Sequence, residues 1–225
     1  MIDKKEIKLI YSDINRINRK SEIAVKKILK ITGKNVKTIL DIGGCIGTFS
    51  LHFANMLHHK DLKIYTFEPV RSSYDILVSN IKINNFEKYI EPFNFGFNNK
   101  KGSVIMGVPI EREKENNMGL YRIESVDESP VCNKVVCEME RLSSFIKNKK
   151  IQKIDIMKID VEGSEINILK DSSDVLKKVE YIHIEINRNF KGSNDISKFL
   201  KSMGFIHVGN TRRSDFIWKN CINTG

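Results

Sequence analysis

The chain has no paired cysteines. Cys45, Cys132, Cys137 and Cys221 form no C-x-x-C and have no histidine pair close by. A zinc site is therefore not implied, and reduced thiols of a cytoplasmic protein are the expectation. No apolar run approaches the length a membrane span needs. Met1 to Lys8 alternates charged with apolar residues, with nothing like the h-region of a signal peptide. No internal repeat is visible. Negative charge is scarce: 28 Asp and Glu stand against 38 Lys and Arg, a formal net charge of +10. That balance suits nucleic acid, acidic surfaces or anionic substrates. The lysines, however, are spread along the whole chain among many Ile and Asn residues. They read as a compositional bias, and a nucleic-acid partner is not expected on charge.

What is present fits one α/β domain spanning all 225 residues, 40% of them hydrophobic and 29% charged. Ser12 or Asp13 caps an amphipathic helix ended by Gly33, an N-terminal extension covering 1–35. Strands are expected at 37–42, 62–67, 89–95, 154–159 and 181–186, with helices at 46–57, 71–84, 141–149, 162–170 and 193–203. A last strand pair at 205–209 and 216–219 closes the chain. Residues 98–139 alternate like antiparallel strands around a polar loop at 111–117, where a substrate lid would sit. Strands alternating with helices predict a mostly parallel sheet with helices on both faces. An assembly of identical chains is compatible with this layout.

The chemistry concentrates on Thr38 to Leu51, where an apolar strand stops at Asp41, passes Gly43, Gly44 and Gly47, and re-emerges with helical spacing. Glycine lets a ligand approach the backbone there and tolerates positive φ. Glu68, followed by Pro69, lies 21 residues beyond Gly47. That is the spacing at which a carboxylate on the second strand reaches a ribose diol, one oxygen per hydroxyl. Two donors share this layout, a nicotinamide dinucleotide and S-adenosylmethionine. The glycines here read G-x-x-x-G instead of G-x-G-x-x-G, and Asp41 would repel a pyrophosphate while suiting the ammonium of a methionine moiety. Charge therefore favours S-adenosylmethionine.

Asp41-Ile42-Gly43-Gly44-Cys45-Ile46-Gly47, Phe67-Glu68-Pro69, Asn80 with Asn84, and Lys158-Ile159-Asp160-Val161-Glu162-Gly163-Ser164-Glu165 followed by Glu185 occur in this order. Across roughly Lys37 to Arg188 the chain resembles FkbM-type methyltransferases. The resemblance implies a class I Rossmann-like methyltransferase fold with a seven-stranded, mostly parallel sheet. It also implies S-adenosylmethionine as donor and a hydroxyl acceptor on a sugar, polysaccharide precursor or glycosylated small molecule. Relatives often carry Ala-Asn where this chain has Gly44-Cys45, and a thiol is a weak hydrogen-bond partner. The expected cofactor set is Asp41, Gly43, Gly44, Cys45, Gly47, Glu68 and Pro69, with Phe95 placed to stack on adenine.

A protonated sugar hydroxyl is a poor nucleophile, so a base is expected. Asp160, at the carboxyl end of a central strand, and Glu185, at the end of its neighbour, are the catalytic candidates. Asp160 would alternatively cap a helix starting near Glu162. With Asn187 the two acids would make an all-oxygen magnesium site, a hypothesis that unchanged turnover after EDTA would remove; no metal is assigned. Glu165 reads as structural, His183 as a packed strand residue, and His52, His58 and His59 as surface groups. Lys158 would neutralise nearby acids or plug the end of the sheet. Two alternatives remain, an RNA methyltransferase and a cofactor-binding module without turnover. The chain lacks a base-gripping N/D-P-P-Y-type motif and a Pro-Cys nucleophile, while Asp41, Glu68 and the Lys158–Glu165 run are intact.

Overall fold

Short β-branched runs flanked by amphipathic stretches dictate a layered architecture, since each strand must be covered on both faces. A computed structural model describes residues 7–10, 15–115, 118–124, 130–187 and 192–222. The elements run α1 (Asn15–Thr32), β1 (Thr38–Ile42), α2 (Thr48–Leu57), β2 (Lys63–Phe67), α3 (Arg71–Ile83) and β3 (Ile90–Phe93). After β4 (Gly96–Phe97), β5 (Gly102–Pro109), β6 (Arg122–Ile123) and β7 (Val131–Glu140) come α4 (Leu142–Asn148) and β8 (Ile154–Ile159). The chain continues through α5 (Glu165–Asp171), α6 (Ser173–Leu176), β9 (Val179–Glu185), α7 (Ser193–Ser202), β10 (Phe205–Asn210) and β11 (Asp215–Asn220). A seven-stranded sheet has the order β10-β11-β9-β8-β1-β2-β3, in which β11 runs antiparallel to both its neighbours.

Alternation along β1 explains the two cores. Ile39 faces α1–α3 with Phe53, Leu77 and Ile28, while Leu40 and Ile42 face α4–α7 with Ile168, Leu176 and Leu200. In α1 the buried Ala24, Val25, Ile28 and Leu29 form the stripe that docks on this sheet, and Gly33 ends the helix by donating to the Leu29 carbonyl. Each fully buried Val, Ile or Leu contributes about 1.5–3 kcal/mol. The expected cap at Ser12 or Asp13 lies outside the described residues. His52, expected on the surface, is buried, its Nε2 2.7 Å from Asn18 Oδ1, because α1 covers this side of α2.

Residues from Gly96 to Glu140 build a second sheet of order β4-β7-β5-β6, joined to the first where β3 ends. Two expected helix starts move. Helix α2 begins at Thr48 because Gly47 sits at φ +90°, and α5 begins at Glu165 because Glu162 (φ +52°) and Gly163 (φ +109°) occupy the left-handed region. Among the described residues no helix is long and apolar enough to cross a membrane.

Candidate functional site

At the carboxyl ends of β1, β2, β8 and β9 lies a cavity of about 350 Å³, walled on its other side by the second sheet. The glycine turn forms its floor. Gly43 and Gly44 both donate to the Phe67 carbonyl (3.1 and 2.9 Å), and Cys45 N–H donates to Glu68 Oε2 at 2.9 Å. Glu68 Oε1 takes the Val70 N–H at 2.8 Å. Gly43, Cys45, Glu68 and Pro69 line the cavity. Cys45 contributes its backbone; burial, and then the Glu68 charge, push its thiol up to about 12.

Four of the residues expected at the cofactor, Gly44, Gly47, Phe95 and Asp41, lie outside the cavity's lining. A Cβ on Gly44 would meet Thr66 Oγ1 at 2.3 Å, so this glycine serves the close approach of β2, and Gly47 supplies the positive φ that starts α2. Phe95 also stays out, held in a ring cluster with Phe67, Phe93, Phe97 and Phe145, while Phe97 reaches the cavity wall. Asp41 shares its strand face with Ile39 and points under α2, fully buried, where Oδ2 accepts from Ser50 Oγ at 2.7 Å. Its ammonium partner is Lys158, whose Nζ is 3.1 Å from Oδ1.

Three further acidic side chains face the cavity from the opposite side. Asp160 follows β8 and Glu185 ends β9, and Glu162 joins them. One carboxylate oxygen from each of the three lies within 4.8 Å of the others, the set that could hold a divalent cation. Glu162 joins the two expected acids, and Asn187 lines the same cavity. Glu162 arrives because Glu165 turns back on the loop and accepts from Val161 N–H (3.2 Å) and Gly163 N–H (3.1 Å). Asp160 does not cap a helix at Glu162, since the helix starts later. His183 is sealed under Phe49, its Nε2 2.7 Å from Thr211 Oγ1. The second sheet and the 3₁₀ turns between β5 and β6 supply Met106, Arg112, Leu120, Tyr121 and Ile123, none of them visible as site residues in the sequence.

Burial is the largest cause holding Glu68 up at about 7 and Glu162 and Glu185 at about 8, with the Asp160 charge second for the latter two. A carboxyl so raised binds its proton more tightly folded than unfolded. Its stabilisation is present below the ordinary value of 4.5 and is lost as pH rises through 7 to 8. His183, held down to about 3 by burial, acts in the other direction: its contribution is present above 6.5 and is lost as pH falls. The urea midpoint in metal-free buffer is therefore expected to peak at about pH 4.5–5, where the three raised carboxyls begin to outweigh His183, and to fall towards about pH 8. Glu185→Gln should flatten the alkaline fall. A midpoint that rises from pH 6 to 9 would contradict these environments.

The strand order, the single reversed strand and a crevice at the sheet's carboxyl edge define a Rossmann-like α/β protein of the methyltransferase type. Residues 41–206 match the methyltransferase FkbM domain, and the chain belongs to that family. It is 29% identical over 173 residues to methyltransferase sdnD of Sordaria araneosa, covering 67% of this chain and 63% of that protein. It is 21% identical over 181 residues to the hexuronic acid methyltransferase AglP of Haloferax volcanii, covering 80% and 68%. The chain thus spans about two thirds of the length of these relatives. Among solved structures, an FkbM methyltransferase from Methylobacillus flagellatus superposes with a TM-score of 0.53 at 16% identity, over 82% of this chain and 43% of that one. TrmK of M. capricolum, solved with S-adenosyl-homocysteine, gives 0.50 at 14% identity over 87% and 65%. Both show the fold.

Proposed function

We propose that the chain is an S-adenosylmethionine-dependent O-methyltransferase acting on a hydroxyl of a saccharide or a glycosylated small molecule. The observation that carries this reading is one cavity holding Glu68 at the end of β2 and the carboxylates of Asp160 and Glu185 at the ends of β8 and β9. The chemistry of these residues fits the donor. Each Glu68 oxygen accepts one backbone N–H and keeps acceptor capacity, which suits two ribose hydroxyls. The Asp160 carboxylate, with the raised carboxyls of Glu162 and Glu185 beside it, takes over the charge role read into Asp41: it attracts an ammonium and repels a pyrophosphate.

S-adenosylmethionine, when bound, supplies a methyl group activated by its sulfonium. The chain's share is to hold donor and acceptor in line and to take the acceptor's proton. Asp160 and Glu185 face the cavity for that purpose. A Glu185 carboxyl held up at about 8 has a proton affinity suited to work near neutral pH. Leu120 and Tyr121, just before β6, and Ile123 of β6 add apolar surface to the cavity wall. A relative named for hexuronic acid supports a saccharide acceptor. An RNA acceptor finds little support here, because the Asp160 carboxylate, with two further acidic side chains beside it, disfavours a phosphodiester.

Glu68→Gln should weaken S-adenosylhomocysteine binding more than tenfold, about 1.4 kcal/mol or more, by removing a charge-assisted acceptor. Unchanged affinity would sink the ribose role. For the acceptor, label from methyl-labelled S-adenosylmethionine should enter a saccharide or glycoside panel and leave total RNA unlabelled. Label in RNA alone would reverse the reading.

A further inference from the structure

Lys158 sits in β8, in register with Asp41 of β1 and His183 of β9, and its side chain is 4% exposed. Its ammonium has three donors and faces three oxygens. Nζ is 3.1 Å from Asp41 Oδ1, 2.7 Å from the Gly43 carbonyl and 3.6 Å from Asp160 Oδ2. Neutralising Asp41 needs only the first. The second lies on the turn under the cavity. A trans peptide points its C=O and N–H in opposite directions. The unit joining Gly43 to Gly44 is therefore gripped at both ends, its carbonyl by Lys158 and its N–H by the Phe67 carbonyl at 2.9 Å. The next N–H, that of Cys45, reaches Glu68.

We propose that Lys158 is a positioning residue for the donor half of the site: it locks the Gly43–Gly44 peptide and through it the Cys45–Glu68 contact. This inference rests on the S-adenosylmethionine reading. Methionine alone at 158 would leave Asp41 buried without its counter-charge and destabilise the fold. The test therefore uses two doubly substituted chains that remove both charges, Asp41→Asn/Lys158→Met and Asp41→Asn/Lys158→Gln. The second returns a neutral N–H donor towards the Gly43 carbonyl, and the loss of Asp41 is common to both.

Calorimetry with S-adenosylhomocysteine, alongside urea unfolding, separates positioning from support. The methionine pair is expected to bind at least tenfold more weakly than the glutamine pair while the two unfold at similar urea concentrations. Equal affinities in the two, with the wild type binding normally, would overturn the positioning role alone. If the methionine pair does not fold, the glutamine pair decides: binding within threefold of wild type supports the role, and a loss of tenfold or more overturns it. A wild-type chain that does not bind S-adenosylhomocysteine overturns the donor reading instead.

Discussion

Gly43→Ala is expected to cost about 3–5 kcal/mol of stability, combining left-handed strain with overpacking against backbone. Gly43 has φ +79°, and a Cβ built on it would lie 1.8 Å from the Asp160 carbonyl oxygen. That oxygen belongs to the neighbouring strand's exit, where the Asp160 N–H is donated to the Ile42 carbonyl at 3.1 Å. Relief would require β1 and β8 to part at their carboxyl ends, the edge that carries the cavity. Gly33 is an internal control, since it has the same φ of +79° with nothing within 4 Å of its Cβ position. Gly33→Ala should cost only about 1 kcal/mol. Urea unfolding of the two variants isolates the close approach from the backbone strain. Equal losses would show that the approach of the Asp160 carbonyl is not what demands glycine.

Asp160→Asn is expected to lower turnover by about 10²–10⁴, the range for removing a positioned general base. The substitution keeps size and one acceptor, and it leaves the Glu68 contacts untouched. Loss of one charge facing the donor's ammonium should weaken S-adenosylhomocysteine by about tenfold at most, well short of the loss in rate. The Asp160 side chain is 39% exposed at the cavity, whereas Lys158 behind it is closed off at 4%. Single-turnover methyl transfer to a saccharide acceptor, read beside calorimetric affinity, makes the distinction. A rate within threefold of wild type would remove Asp160 from the chemistry and leave Glu185 as the group to test.

The strand–turn–helix around Gly43 was legible because hydrophobic periodicity changes from strand to helix within a few residues, and three glycines mark the change. Asp41 shows where such reading stops. Its spacing from Gly43 matches a ligand contact, yet the parity of β1 puts it with Ile39 on the face covered by α2. Its partner Lys158 comes from a strand more than a hundred residues away, so only the β1–β8 register reveals the pair. Glu162 was hidden for a different reason. A glutamate at φ +52° is uncommon, and the sequence reads as the first turn of a helix until Glu165 is seen holding the Val161 and Gly163 amides. The Glu-Gly dipeptide was the one local signal of a turn. Phe95 alternates like a strand residue, but β3 ends at Phe93 and the ring falls into a cluster of four other phenylalanines. The cavity's second wall comes from strands that pair only with one another, and no local pattern announces which side chains they turn inward.

Calorimetric titration of the wild-type chain with S-adenosylhomocysteine, with NAD as the control, tests the central claim most directly. One molecule bound per chain with a Kd of roughly micromolar order, about −8 kcal/mol, and no heat with NAD is the predicted result. Binding of NAD and silence with S-adenosylhomocysteine would contradict the account and assign the Glu68 cavity to a dinucleotide.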